Sequence, residues 1–144
     1  MRALLDINVV IALLDPDHDF HHRAHAWWAN HRDEGWASCP LTENGVVRIM
    51  ASPAYNSRRT LTPAAIANLL RTFTRSTNHE FWPDALSMLD EAVIDYEQVL
   101  GPRQITDLYL LALAASRGGL LATFDEAVYV GAVHNVGDEH LSVI

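Results

Sequence analysis

The sequence predicts a three-layer α/β domain built on a parallel sheet, with short apolar strands alternating with helices. Apolar runs of strand length recur along the chain and are separated by segments whose apolar residues fall at helical spacing. Two of the strand-like runs end on or near a carboxylate: Leu4 and Leu5 lead into Asp6, and Leu120, Leu121 and Ala122 lead through Thr123 and Phe124 to Asp125. In open parallel sheets the carboxyl ends of the strands face the ligand crevice. The 144 residues suit one domain, residues 1–144, and a hydrophobic content of 49% is enough to fill its core.

The first strand is read at Ala3, Leu4 and Leu5. Asp6 closes it, and a helix follows near Asn8, its apolar run from Val9 to Leu14 ending at Asp15 and Pro16. A buried carboxylate is costly, so Asp6 is expected to be exposed at the strand tip or paired with a cation. Two readings of Asp6 stand side by side: the first member of an acidic site, or the cap of the following helix.

Asp15, Pro16 and Asp17 make a turn. Phe20, Ala24, Trp27 and Trp28 fall at helical spacing and predict a helix over His21–His31. His21 and His25 stand four apart on it, a spacing that can bind zinc, but no further ligands are evident. Gly35 ends the element, and Trp36, Ala37 and Ser38 predict a short buried strand. Pro40 suits the first turn of a helix over Pro40–Met50. Glu43 lies near its start, where the helix dipole alone would favour it.

A loop over Ser52, Pro53, Tyr55, Asn56 and Ser57 leads to Arg58 and Arg59. Thr62 then reads as an N-cap and Pro63 as the first residue of a helix with Ile66, Leu69, Leu70 and Phe73 on one face. Arg71 and Arg75 stand four apart on it. Residues 79–82 predict a short strand, and the apolar residues Met88, Leu89, Val93, Ile94 and Val99 predict helical material up to Gly101. Thr106 is expected to cap a helix with Asp107 in its first turn and Leu108, Leu111, Ala112 and Ala115 on its inner face. Gly118 and Gly119 stop that helix. Leu120 to Ala122 form a strand, and residues 140–144 add an edge strand.

Composition excludes several functions. There is no lysine, so a P-loop lysine and a Schiff-base lysine are both ruled out, and no G-x-G-x-x-G is present. The single cysteine, Cys39, cannot form an internal disulfide and reads as a small core residue. That usage fits a reducing, cytoplasmic setting. No signal peptide is recognised, and no apolar run approaches the roughly 18 residues of a membrane span.

Net charge is −8 but uneven: between Asn44 and His79 there are five arginines and no acid, while the remaining five arginines are set against all eighteen acids. Such asymmetry marks an interaction surface. Arg58, Arg59, Arg71 and Arg75 on this arm are the candidate contacts to an anionic substrate; a solvated helix face is the plainer alternative.

Asp6, Glu43, Asp107 and Asp125 thus stand either at strand ends or in first turns of helices, which a parallel sheet can bring to one edge. Hard oxygen ligands of this kind hold Mg²⁺ or Mn²⁺, usually with waters retained. Such an ion generates hydroxide near neutral pH and offsets charge on an attacked phosphate.

Four blocks carry a resemblance: Leu4-Leu5-Asp6-Ile7-Asn8-Val9, Leu41-Thr42-Glu43, Thr106-Asp107-Leu108-Tyr109-Leu110-Leu111-Ala112 and Leu121-Ala122-Thr123-Phe124-Asp125. In this order they resemble the signature blocks of PIN-domain ribonucleases, and most nearly the VapC toxins of bacterial VapBC toxin–antitoxin systems. Asp15-Pro16-Asp17-His18 and Phe81-Trp82-Pro83-Asp84 resemble further blocks of one VapC subgroup.

The resemblance implies a five-stranded parallel sheet flanked by helices and a Mg²⁺-dependent endoribonuclease, with Mn²⁺ as an alternative ion, leaving 5′-phosphate and 3′-hydroxyl ends. It implies Asp6, Glu43, Asp107 and Asp125 as metal-binding acids, Asp6 and Asp107 the most direct, with Asn8 and Thr123 as polar supports. It also implies a VapB-type antitoxin partner, a tRNA or ribosomal RNA substrate, and a homodimer. Ile7 departs from the threonine common in relatives; it either faces away from the metal edge or removes a supporting hydroxyl. The rival readings are a non-catalytic PIN-like module that binds RNA or protein, and a metal-dependent phosphohydrolase for small substrates.

Overall fold

The computed structural model describes residues 1–56, 58 and 60–144. Five parallel strands form one sheet in the order β3-β2-β1-β4-β5. They are β1 (Ala3–Leu5), β2 (Trp36–Ser38), β3 (His79–Phe81), β4 (Leu120–Thr123) and β5 (Leu141–Val143). Five helices flank them: α1 (Ile7–Leu14), α2 (His21–His31), α3 (Pro40–Met50), α4 (Pro63–Ser76) and α5 (Ile105–Ser116). This is the α/β architecture the sequence predicts, with β3 and β5 as the two edges.

Alternation along each strand separates two cores. Ala3, Leu5, Trp36 and Ala122 point to one face, where α1 to α4 pack with Val9, Ile11, Val46 and Ile66. Leu4, Ala37 and Leu121 point to the other, against α5. That helix is buried on all sides from Leu108 to Ala114, as a helix that is apolar all round must be. Its outer side is covered by irregular chain carrying Trp82, Ile94, Val128, Ala132 and Val133.

The helical material expected before Gly101 is absent. Residues 87–99 form turns, an isolated bridge between Ile94 and Val133, and a 3-10 turn at Tyr96–Gln98. Short polar side chains take the backbone donors that a helix would use. Ser87 Oγ accepts from Leu89 N–H, Asp90 Oδ1 from Ala92 N–H, and Asp95 Oδ1 from Glu97 N–H. Of the apolar residues read as helical, Met88, Val93, Ile94 and Val99 instead pack into the core that holds α5, while Leu89 is exposed.

Nor does Thr106 cap α5. A 3-10 turn at Pro102–Gln104 runs directly into the helix, whose first residue is Ile105. Elsewhere local chemistry acts as the sequence predicts. Thr62 Oγ1 accepts from Ala65 N–H at 3.1 Å, with Pro63 opening α4. Cys39 is fully buried, and Thr42 Oγ1 accepts from its N–H. His21 Nδ1 and His25 Nε2 lie 2.7 and 3.1 Å from the carbonyls of Ala12 and Leu13. The two rings satisfy carbonyls in the last turn of α1, which lack helical partners, and do not gather as a zinc site.

The α5–β4 connection has no spare room at Gly119. A Cβ added to Gly119 would stand 2.5 Å from the Arg2 carbonyl oxygen and 2.8 Å from Trp82 Cη2. The first is backbone of the neighbouring strand and cannot step aside without breaking the β1–β4 register. Gly119→Ala is therefore expected to cost about 1–3 kcal/mol, the usual cost of overpacking. A urea melt with an unchanged midpoint would contradict this packing.

Candidate active site

The sheet order reverses between β1 and β4: the chain moves from β1 outward to β2 and β3, then returns to β4 and β5 on the other side. Crevices form at such points, beyond the carboxyl ends of the strands. The register pairs Leu5 with Ala122, so the next residues, Asp6 and Thr123, meet across the strand ends. Thr123 Oγ1 donates to Asp6 Oδ2 at 2.9 Å and accepts from Asp125 N–H at 3.1 Å. One hydroxyl thus ties the first carboxylate to the backbone of the residue bearing another.

Asp6 satisfies both sequence readings at once. It is the N-cap of α1, Oδ1 accepting from Ile7 N–H at 2.7 Å, and it stands at the reversal point of the sheet. The expectation that it would be exposed or paired with a cation is corrected: only 7% of it is exposed, and hydrogen bonds hold it instead. Burial raises its pKa, opposed by the bonds from Thr123 and Ile7 and reinforced by the charge of Asp125.

Asp107 reaches the same place from α5. This helix runs back along the sheet, so its first turn lies at the carboxyl edge of the strands. Asp6, Asp107 and Asp125 line one cavity of about 360 Å³ together with Ile7, Asn8, Ile49, Thr106 and Phe124. No basic side chain is among them. Asp107 titrates at about 7, raised first by burial and then by the negative charges of Asp6 and Asp125. Asp125 is exposed, and its Oδ1 accepts from Ala127 N–H at 2.7 Å.

The donors are hard carboxylate oxygens, and two of the acids sit at the positive ends of helices α1 and α5. This set fits Mg²⁺, which takes one or two carboxylates and keeps its waters. Among the described residues no three acids, histidines or cysteines stand close enough together to hold a metal ion as a group, so a cation here would rest on one or two carboxylates and its own waters.

Glu43 stands apart. From the first turn of α3 it accepts from Ser38 Oγ at 2.6 Å, and His79 Nε2 lies 2.8 Å from the same hydroxyl. Glu43 lines a neighbouring cavity with Val47, Ala67, Leu70, Arg71 and Thr74. The structure thus brings together three of the four acids and sets the fourth beside an arginine of the basic arm. Burial pushes the His79 pKa down.

Asn8 is exposed on the rim of the aspartate cavity. Ile7 borders that cavity and presses on Gly45, where a Cβ would collide with its side chain. It therefore does not face away from the site. Arg58, Arg71 and Arg75 are exposed; Arg59 lies outside the described residues. Ser38 and His79 escaped the sequence reading because both sit in short runs legible only as strands. Phe124 escaped because an aromatic next to a strand end reads as core.

Comparison with known proteins gives a consistent set. The family model described as PIN domain matches residues 3–132. Ribonuclease VapC44 of Mycobacterium tuberculosis is 44% identical over 147 residues, covering the whole of both chains. Ribonuclease VapC39 of the same organism is 41% identical over 128 residues, 89% of this chain and 91% of its own. Ribonuclease VapC29 is 41% identical over 138 residues, 96% and 93% respectively.

The aspartate cluster sets a pH dependence. Unfolded, Asp107 titrates near 3.8; folded and without a cation, at about 7. Between those values the folded chain holds a proton that the unfolded chain has released, so stability falls as pH rises across this window. In EDTA the Tm is expected to drop between pH 5 and pH 7.5, and to drop less in Asp107→Asn. Equal slopes for the two proteins would show that Asp107 is not under this electrostatic load.

Proposed function

The chain belongs to the PIN-domain family, and on that footing we propose that it is a divalent-cation-dependent endoribonuclease acting as the toxin of a toxin–antitoxin pair. The observation that carries this reading is the meeting of Asp6, Asp107 and Asp125 around one cavity that no basic side chain lines, at the reversal point of the sheet. The names of its relatives support the substrate class.

Asp6, Asp107 and Asp125 would hold Mg²⁺, or Mn²⁺ in its place, directly or through water. Bound there, the cation supplies hydroxide near neutral pH and offsets charge on the attacked phosphate. Thr123 keeps the Asp6 carboxylate aimed by donating to Oδ2, while Ile7 N–H fixes Oδ1. Burial and the charges of Asp6 and Asp125 favour a proton on Asp107, and positive charge held in this cavity would favour its carboxylate instead. Glu43, oriented by Ser38, completes the acidic edge next to Arg71.

Arg58, Arg59, Arg71 and Arg75 contact the RNA backbone, with tRNA or ribosomal RNA as the substrate class. A VapB-type antitoxin is the protein partner, and the working unit is a homodimer of single PIN domains. No helix among the described residues is long and apolar enough to cross a membrane, consistent with action in the cytoplasm.

Three measurements test this reading. Asp6→Asn and Asp107→Asn are each expected to abolish cleavage of total RNA in Mg²⁺ while the proteins remain folded; wild-type rates in both would refute the site. Saturating Mg²⁺ is expected to raise the wild-type Tm, since an ion at a hundredfold excess over its Kd stabilises by about 2.7 kcal/mol. A Tm indifferent to both Mg²⁺ and Mn²⁺ would favour the non-catalytic module. Replacing Arg58, Arg59, Arg71 and Arg75 by alanine is expected to flatten the logarithmic salt dependence of RNA binding by about 0.7 per lost phosphate contact. An unchanged slope would remove the arm from the RNA interface.

A further inference from the structure

Beside the aspartate cavity lies an aromatic cluster that reaches from Phe124, packed on the edge of one core, out to Phe20, which belongs to neither core. Phe124 lines that cavity. Its ring centroid is 4.9 Å from that of Phe20 and 6.5 Å from His18, the latter at an interplanar angle of 20°. The guanidinium carbon of Arg23 lies 5.3 Å from the Phe20 centroid and 5.7 Å from that of Phe124.

Resting on the ribonuclease reading, we propose that Phe20, Phe124, His18 and Arg23 form a stacking platform for an unpaired nucleobase of the RNA, next to the scissile phosphate.

Phe20 is the informative residue. It is 41% exposed and belongs to neither hydrophobic core. It occupies the N-cap of α2, where its side chain offers no hydrogen bond; Ser, Thr, Asp or Asn would serve the helix better. The turn before it is held in place: Asp15 Oδ1 accepts from Asp17 N–H, and Phe20 N–H donates to His18 Nδ1 at 3.0 Å. The ring is thus presented at the surface on a fixed turn. Arg23 is exposed and takes part in none of the ion pairs among the described residues.

A nucleobase is the occupant that this chemistry fits. Three aspartates repel a phosphate chain, and the protein as a whole carries −8. Part of the affinity must therefore come from contacts that carboxylates do not oppose. Stacking on an aromatic face is such a contact. It is open to every base, and an arginine over the rings adds a cation–π contribution. Arg23 can also meet the phosphodiester of the stacked nucleotide.

The test is fluorescence anisotropy in Mg²⁺ with full-length protein in an Asp107→Asn background, which leaves the RNA uncut. The probes are a labelled single strand of about ten nucleotides, a length within the usual range of single-strand sites, and the same strand with abasic positions throughout. Phe20→Ala is expected to weaken binding of the normal strand at least about fivefold and to leave the abasic strand unchanged; Phe20→Trp should bind the normal strand at least as tightly as the parent. Equal weakening for both strands, or no change for either, overturns the platform, while wild-type cleavage of RNA leaves the ribonuclease reading standing. A wild-type chain that neither binds nor cleaves RNA in Mg²⁺ overturns both.

Discussion

The buried hydrogen bond from Thr123 to Asp6 is the contact on which the site depends. Asp6 is placed where a carboxylate is costly, one residue beyond the fully buried Leu5. Leaving a buried charged acceptor without its partner costs about 1–3 kcal/mol or more. Thr123 and the Ile7 N–H meet that demand from β4 and α1. The bond exists only because β1 and β4 are parallel neighbours with Leu5 opposite Ala122. A one-residue slip would turn Thr123 to the other face. Sheet register and site geometry are therefore one constraint.

Charge is distributed around this constraint. Three aspartates face one another with no basic side chain in their cavity; burial first, and then the charges of Asp6 and Asp125, push the Asp107 pKa up to about 7. The arginines lie on α4 and the segment before it, with Arg71 one cavity away beside Glu43. The aromatic cluster of Phe20 and Phe124 adjoins the aspartates through Phe124, which lines their cavity. An acidic centre with a basic arm and an aromatic cluster suits a substrate that is both polyanionic and aromatic. On the proposed reading the centre would attract a cation, and the arginines and aromatics would bear on the nucleic acid.

Much of this was legible in the residues. The short apolar runs of β1, β2 and β4, buried on both faces, the Thr62-Pro63 start of α4 and the Pro40 start of α3 all follow from local chemistry. Strand ends carrying carboxylates pointed to Asp6 and Asp125. What escaped was set by contacts distant in sequence. Met88, Val93, Ile94 and Val99 looked helical because the core around α5, into which they pack, was not yet in view. Ser38 and His79 are joined through a hydroxyl across the β2–β3 pair, a link that no short window contains. Glu43 was grouped with the aspartates by its place in the first turn of a helix and by motif. Its bond from Ser38 and its place in a second cavity beside Arg71 depend on contacts that the sequence does not display. Phe20 read as the first apolar position of α2, yet its ring packs against Phe124, far along the chain.

The central claim is that Asp6, Asp107 and Asp125 share one divalent cation. Anomalous diffraction from crystals grown with Mn²⁺ measures this directly. A single strong peak is expected, with oxygens from at least two of the three aspartates at about 2–2.5 Å. A peak found only at the Glu43 cavity, or no peak at the aspartates under saturating Mn²⁺, would contradict it.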